Sequence, residues 1–148
     1  MSKGDAVRGF TDVTFCPTFV GDLAEALIKL LESELRGVYH VVGGEAMTKY
    51  EFGQAIAGKF GYDESLISAQ SVDEFGLPAR RSHNLRLSTH KLSTDLGLSL
   101  PDFSTGLDKF HGQFLQGYPQ LIRSFQEAAP VRIGAQGDSA AKSGRKSR

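Results

Sequence analysis

The sequence predicts an α/β fold in which extended segments and helices alternate. The stretch Phe15–Glu32 joins an extended start, a helix signal and an apolar helix face. Val38–Val42 is a short apolar run, typical of a strand buried on both faces of a parallel sheet. A second helix is predicted after it, because Thr48 and Glu51 have the spacing of a capping box. The predicted fold class depends on these two units.

The first helix is expected to begin at Asp22 and to contribute most to the core. Glu25 follows Asp22 by three residues, which predicts a capping box with Asp22 as the N-cap. Four leucines recur at helical spacing and predict one buried stripe: Leu23, Leu27, Leu30 and Leu31. Gly37 is placed to end the helix. We therefore expect Leu27, in the middle of this helix, to be buried.

The remaining elements are predicted from the same signals. They include an extended segment at Val7–Phe15 and a strand at Ile67–Val72. Three more helices are predicted: one from Thr48 that stops at Gly61, one at Thr89–Leu96, and one from Pro101 that Tyr118–Phe125 extends. From Ala128 onward the sequence has almost nothing to bury. We therefore predict one domain over residues 1–127 and a disordered basic tail over residues 128–148.

Composition excludes several classes of protein. The chain has 148 residues, 40% of them apolar, which suits one ordinary globular domain. Its 17 basic and 17 acidic residues cancel, and its body carries no basic stripe, so we expect no nucleic-acid partner. No apolar run approaches the roughly 20 residues of a membrane span, and no signal peptide opens the chain. Cys16 is the single cysteine, so no intrachain disulfide is possible and we expect a cytoplasmic location.

Three motifs in a fixed order identify a family resemblance. The chain contains Pro17–Ala24 with the helix that follows, then Gly37–Gly44, then Thr48–Phe52. This order resembles the C-terminal part of the extended short-chain dehydrogenase/reductases, and within them the dTDP-4-dehydrorhamnose reductase group. The resemblance implies a partial Rossmann-type sheet with a small substrate-binding α/β lobe. A complete member of the group is an NAD(P)-dependent oxidoreductase that uses NADPH or NADH to reduce a nucleotide sugar, as in dTDP-rhamnose biosynthesis.

The motifs that such a reductase needs for its cofactor and its chemistry are missing from this sequence. A glycine-rich turn must let the backbone approach the cofactor pyrophosphate, but the nearest glycines have the wrong spacing: Gly53, Gly58 and Gly61. The family also uses a tyrosine with a lysine four residues later. The residues four positions after the four tyrosines are Gly43, Gln54, Leu66 and Ile122. We therefore predict no catalytic residue, no cofactor bound by this chain alone and no hydride transfer by it.

An arginine pair is the best candidate for substrate binding. The segment Ala79–Leu85 aligns with the arginine-rich loop of the family, and Arg80 and Arg81 offer guanidinium forks that fit a pyrophosphate. The alternative is a solvated loop without a ligand. Ser82 stands where the family usually has proline and Ser88 where it usually has aspartate. These departures predict a looser loop.

Two aromatic residues are the other substrate-binding candidates. Phe15 and Phe19 are placed to line a sugar or base pocket, with core packing as the alternative reading. Cys16 between them is expected to pack as a small apolar side chain. No metal site is predicted, because three histidines lack ligand spacing among themselves or with Cys16: His83, His90 and His111.

Three functional hypotheses remain open from the sequence. The first is a truncated, substrate-binding portion of a reductase, inactive alone, that binds a dTDP-deoxysugar weakly or only together with the missing half. The second is a non-catalytic regulatory module, since the β subunit of methionine adenosyltransferase resembles the same group. The third is a product without a role. In complete reductases Val38–Val42 belongs to a sheet, so we expect self-association or a protein partner that supplies it.

Overall fold

The computed structural model describes residues 4–128 and confirms the α/β class. The strands are β1 (Val7–Phe10), β2 (Thr14–Phe15), β3 (Met47–Thr48), β4 (Ile67–Gln70) and β5 (Asn84–Leu85). The helices are α1 (Val20–Leu31), α2 (Lys49–Phe60), α3 (His90–Leu96), α4 (Phe103–Leu115) and α5 (Tyr118–Ala128), with a 3₁₀ turn at Glu64–Leu66. The strand β1 pairs with β4 in parallel, and a second sheet has the order β3-β2-β5. Within it β2 is antiparallel to β3 and parallel to β5.

Helix α2 begins and ends where the sequence predicts. The Thr48 hydroxyl accepts a hydrogen bond from the Glu51 N–H at 3.1 Å, and the Glu51 carboxylate accepts one from the Thr48 N–H at 2.7 Å. That backbone hydrogen bond from Thr48 lowers the pKa of Glu51. Gly61 ends the helix with a left-handed φ of 67°. Gly117, with φ of 78°, separates α5 from α4, so the predicted extension of α4 is a helix of its own.

Helix α1 differs from its prediction at its start, because Asp22 does not cap it. The N-cap is Phe19, and no side chain caps the helix there. Asp22 lies in the first turn at 7% exposure, and its carboxylate accepts a hydrogen bond from the Nζ of Lys109 on α4. The capping-box prediction was wrong because a local pattern cannot show that Asp22 pairs with Lys109, which lies 87 residues away in sequence. Asp22 therefore joins α1 to α4 through an ion pair with Lys109.

The predicted leucine stripe of α1 is also largely exposed. Leu27 is 47% exposed and Leu31 is 85% exposed, whereas Leu23 and Leu30 are half-buried. The position that reaches the core is Ala26, at 2% exposure. Periodicity showed correctly that this helix has an apolar face. It did not show that the described structure leaves much of that face uncovered.

Residues 38–42 form no strand in this structure, which contradicts the prediction of a buried one. Val38 is 78% exposed, and its carbonyl accepts a hydrogen bond from the Nζ of Lys91 at 3.3 Å. The Tyr39 hydroxyl donates to the Asp95 carboxylate at 2.8 Å, and the Lys91 Nζ lies 4.0 Å from the Tyr39 ring centroid. Side chains of α3 therefore hold this segment where a neighbouring strand was expected.

One part of the core lies between the β1–β4 pair and α2, and α1 and α3 each contribute a buried residue outside it, Ala26 and Leu92. Helix α2 approaches β1 closely at Gly9, since a Cβ there would come within 2.7 Å of the Tyr50 Cα. The buried apolar residues are Val13, Ala26, Ala57, Ile67, Val72 and Leu92. No helix in residues 4–128 is long and apolar enough to cross a membrane. The predicted tail beyond Ala128 lies outside the described residues.

We expect Leu92→Ala to destabilise the chain far more than Leu27→Ala. Leu92 is 1% exposed, so its truncation should cost about 2–5 kcal/mol through lost burial and a cavity. Leu27 is 47% exposed, so the same change should cost about 1 kcal/mol or less at concentrations where the chain is monomeric. Urea unfolding of both variants measures the two losses. Equal losses would show that Leu27 is covered.

Candidate functional site

The loop between β4 and β5 carries the two arginines predicted to bind substrate. We call residues 71–84, which run from the end of β4 to the first residue of β5, the arginine loop. Arg80 and Arg81 are exposed and line one cleft of about 90 Å³. The other lining residues are Val72, Asp73, Gly76, Leu77 and Ala79. The cleft has room for about three waters, and so for a phosphate-sized group rather than a whole nucleotide.

Both ends of the arginine loop are fastened to the turn between β1 and β2. At one end, the Asp12 carboxylate accepts hydrogen bonds from the Ser71 hydroxyl at 2.6 Å and from the Val72 N–H at 2.9 Å. At the other, the Thr14 N–H donates to the His83 carbonyl at 2.8 Å. Two residues of one turn thus hold the two ends of the loop together.

A side-chain pair also crosses the loop. His83 Nε2 lies 3.1 Å from Asp73 Oδ1. Asp12, Asp73 and His83 each bring one possible metal-ligand atom within 4.8 Å of the others, although the sequence predicted no metal site. The Asp12 oxygens are already used by Ser71 and Val72. The hydrogen bonds that these three side chains make in this structure all hold the loop.

The electrostatics of Asp12 follow from its hydrogen bonds. The bond from the Ser71 hydroxyl, followed by that from the Val72 N–H, lowers the pKa of the Asp12 carboxyl. Both donors stabilise the ionised form, because a carboxylate accepts a hydrogen bond more strongly than a neutral acid does. The tie at the base of the arginine loop is therefore strongest when Asp12 is ionised.

The aromatic candidates line a separate and larger cavity. Phe15 and Phe19 border an apolar space of about 440 Å³, within the size range of small-molecule pockets. It is closed by α2, α4 and α5, with these side chains among its lining: Phe52, Ile56, Phe103, Leu107, Phe110, Tyr118 and Ile122. The ring of Phe15 meets that of Phe52 edge-on, with centroids 5.3 Å apart. Thr18 and Gln113 supply polar groups in the wall.

The structure thus places the four predicted substrate-binding residues in two pockets. Arg80 and Arg81 share the small cleft, and Phe15 and Phe19 share the apolar cavity. The pockets are linked through the second sheet, because Phe15 on β2 pairs in register with Leu85 at the start of the segment after the arginine loop.

Comparison with known proteins places this arrangement in a family. Residues 1–115 match the family model of the RmlD substrate binding domain. The chain belongs to this family. A probable low-salt glycan biosynthesis reductase of Haloferax volcanii is 30% identical over 114 residues, which is 77% of this chain and 38% of that protein. The mouse methionine adenosyltransferase 2 subunit beta is 34% identical over 105 residues, or 67% of this chain and 31% of that one.

A solved structure has the same fold. The dTDP-4-dehydrorhamnose reductase of Bacillus anthracis, in complex with NADP, superimposes with a TM-score of 0.69 at 26% identity. The match covers 74% of this chain and 38% of that one. The chain therefore spans between 31% and 38% of the length of these relatives. The family resemblance predicted from the motif order is confirmed.

Within this RmlD-type domain, sequence reasoning missed the residues that organise the loop. Asp12, Thr14 and Asp73 carry no motif that distinguishes them from solvated polar residues. Their partners are far away along the chain, so only the fold brings them together. Lys109, the partner of Asp22, was missed for the same reason.

We expect Asp12→Asn to destabilise the chain at neutral pH and to have less effect in acid. The folded-state pKa of Asp12 is lowered, so its stabilising contribution is present above the ordinary aspartate pKa of about 3.9 and is lost as the pH falls through the lowered value. The difference in Tm between wild type and Asp12→Asn should shrink from pH 6 towards pH 3. Glu74→Gln, at an exposed site on the same loop, is the control. A difference that does not change with pH would contradict this account.

Proposed function

We propose that this chain is a nucleotide-sugar binding unit, in which Arg80 and Arg81 hold the diphosphate of a dTDP-linked deoxysugar. The observation that supports it best is the arginine pair in one cleft, on a loop held at both ends. Guanidinium groups bind phosphate oxygens through paired hydrogen bonds, so two of them in one cleft suit a diphosphate. The name of the Bacillus anthracis relative supports a dTDP-sugar as the ligand class.

We further propose that reduction needs a second unit. The sequence has neither the glycine-rich turn nor the tyrosine–lysine pair of complete reductases, so NADPH or NADH would be bound by a complementing half. The relative solved with NADP, of which this chain spans 38%, supports that division. The single cysteine, Cys16, supports a cytoplasmic setting.

An exposed face of α1 supports the existence of a covering partner. Five apolar residues at helical spacing form what we call the outer stripe, and all five are exposed: Val20, Ala24, Leu27, Ile28 and Leu31. Monomeric proteins rarely leave large contiguous apolar patches in water. We propose the complementing half as the occupant and a second copy of this chain as its substitute when that half is missing.

Replacing both arginines with alanine should weaken dTDP binding by about tenfold or more. Hydrogen bonds between charged groups contribute about 1.5–3 kcal/mol each, and this change removes both forks. Calorimetric titration of dTDP measures the affinity. The control, Lys142→Ala with Lys146→Ala, also removes two positive charges and should leave the affinity unchanged. Equal losses in the two double variants would indicate nonspecific charge attraction.

The isolated chain should self-associate, and the complementing half should suppress this. Sedimentation at micromolar concentration should show oligomers, and co-expression with the part of the Bacillus anthracis reductase outside the match should give a one-to-one complex that binds NADPH. Leu27→Glu with Leu31→Glu should prevent both kinds of association. Phe125→Glu on α5, also at an exposed apolar site, is the control and should prevent neither. A monodisperse monomer with one cooperative melt would contradict the proposed covering partner.

The second candidate function is a non-catalytic regulatory module. The similarity to a methionine adenosyltransferase subunit over 67% of this chain favours it, as does the missing catalytic pair. In this case the outer stripe would bind a partner, and Arg80 and Arg81 would not contribute to nucleotide binding. Binding to a methionine adenosyltransferase catalytic subunit, together with no measurable dTDP affinity, would decide for this candidate.

A further inference from the structure

We infer that Asp73 and His83 are positioning residues that lock the arginine loop, with Asp12 as the anchor of that lock. The inference rests on the proposed function of Arg80 and Arg81 as phosphate ligands. It adds the residues that hold this pair in place, to which the sequence analysis assigned no such role.

The loop needs such a lock because of its length. Residues 71–84 join two short strands, and surface loops of this size keep one shape only when their ends are close and their own side chains pack or bond across them. Arg80 and Arg81 lie in the part of the loop between the two bonded ends. Their separation therefore depends on how firmly those ends are joined.

The anchor acts on the first arm of the loop. Asp12 accepts from both Ser71 and Val72, and the Ser71 hydroxyl in turn accepts from the Asp73 N–H at 3.2 Å. This chain of bonds fixes the backbone at Asp73. The Asp73 side chain therefore extends from a backbone position that these hydrogen bonds hold in place.

The cross-link joins that first arm to the second. Asp73 Oδ1 meets His83 Nε2 at 3.1 Å, and the His83 carbonyl is held by Thr14. The pair closes a ring of chain that contains both arginines. Ser82 lies next to His83, and a proline at this position would supply a backbone constraint that could replace the one given by the Asp73–His83 contact.

The pair also has an electrostatic part to play. Asp73 lines the same cleft as Arg80 and Arg81, where a free carboxylate would repel a phosphate. The contact with His83 occupies the Asp73 Oδ1 at 3.1 Å, so this oxygen is less available to oppose a phosphate in the cleft. Loss of His83 should therefore harm phosphate binding more than loss of Asp73, although either loss opens the loop.

Hydrogen exchange of the full chain tests the lock without any nucleotide. His83→Ala and Asp73→Ala should each speed exchange of the amides in residues 74–81 by about two- to fivefold, as expected when one exposed hydrogen bond is lost. The double variant should be no faster than either single one, because both remove the same contact. Ser82→Pro in the His83→Ala background should restore slow exchange. His90→Ala, which removes a histidine from α3, is the control.

The dTDP affinity gives the second measurement. His83→Ala should weaken it about two- to fivefold, Asp73→Ala should weaken it less, and adding Asp73→Ala to His83→Ala should recover part of the loss. Unchanged exchange in both single variants would overturn the lock. Protection of residues 74–81 that disappears with a chelator would also overturn it, since a metal ion would then hold the three side chains.

The two proposals fail in different ways. If the double arginine variant leaves dTDP affinity unchanged while the exchange results hold, the binding function is wrong and the lock remains. If the double arginine variant loses dTDP affinity, but replacing His83 or Asp73 changes neither the exchange rates nor the affinity, the lock is wrong and the binding function remains.

Discussion

The turn at residues 12–14 is the constraint on which the rest of the site depends. Val13 is 3% exposed, and its carbonyl accepts the Lys49 N–H at 3.1 Å, so the turn is fixed to the start of α2. On either side of Val13, Asp12 and Thr14 hold the two ends of the arginine loop. One buried valine thus sets the position of two polar neighbours, and through them the position of a loop that has few contacts of its own.

The same turn leads directly into the apolar cavity. Phe15 follows Thr14 on β2, and its ring packs against Phe52 on α2, which in turn lies 5.5 Å from the ring of Phe103 on α4. The two residues of β2 therefore serve two different sites. Thr14 holds one end of the arginine loop, and Phe15 lines the apolar cavity.

The uneven burial of α1 explains why this domain differs from an ordinary globular one. Its inner face is joined to α4 by the ionic tie between Asp22 and Lys109, and Ala26 packs into the core. Its outer stripe has no cover within residues 4–128. A helix that has contacts on one face and apolar residues on the opposite face suits a position between two layers of structure. Residues 4–128 supply only the layer that covers the inner face.

Local chemistry was sufficient to predict much of this protein from its sequence. The capping box of Thr48 and Glu51 and the helix end at Gly61 depend on residues close together in the chain, and both were found as predicted. The motif order also identified the family. Tertiary structure alone decided that Asp22 pairs with Lys109, that Leu27 is exposed, and that Asp73 meets His83. The physical reason is that a periodic pattern shows which surface favours burial or bonding, whereas the partner is chosen by segments that the chain brings together only when it folds.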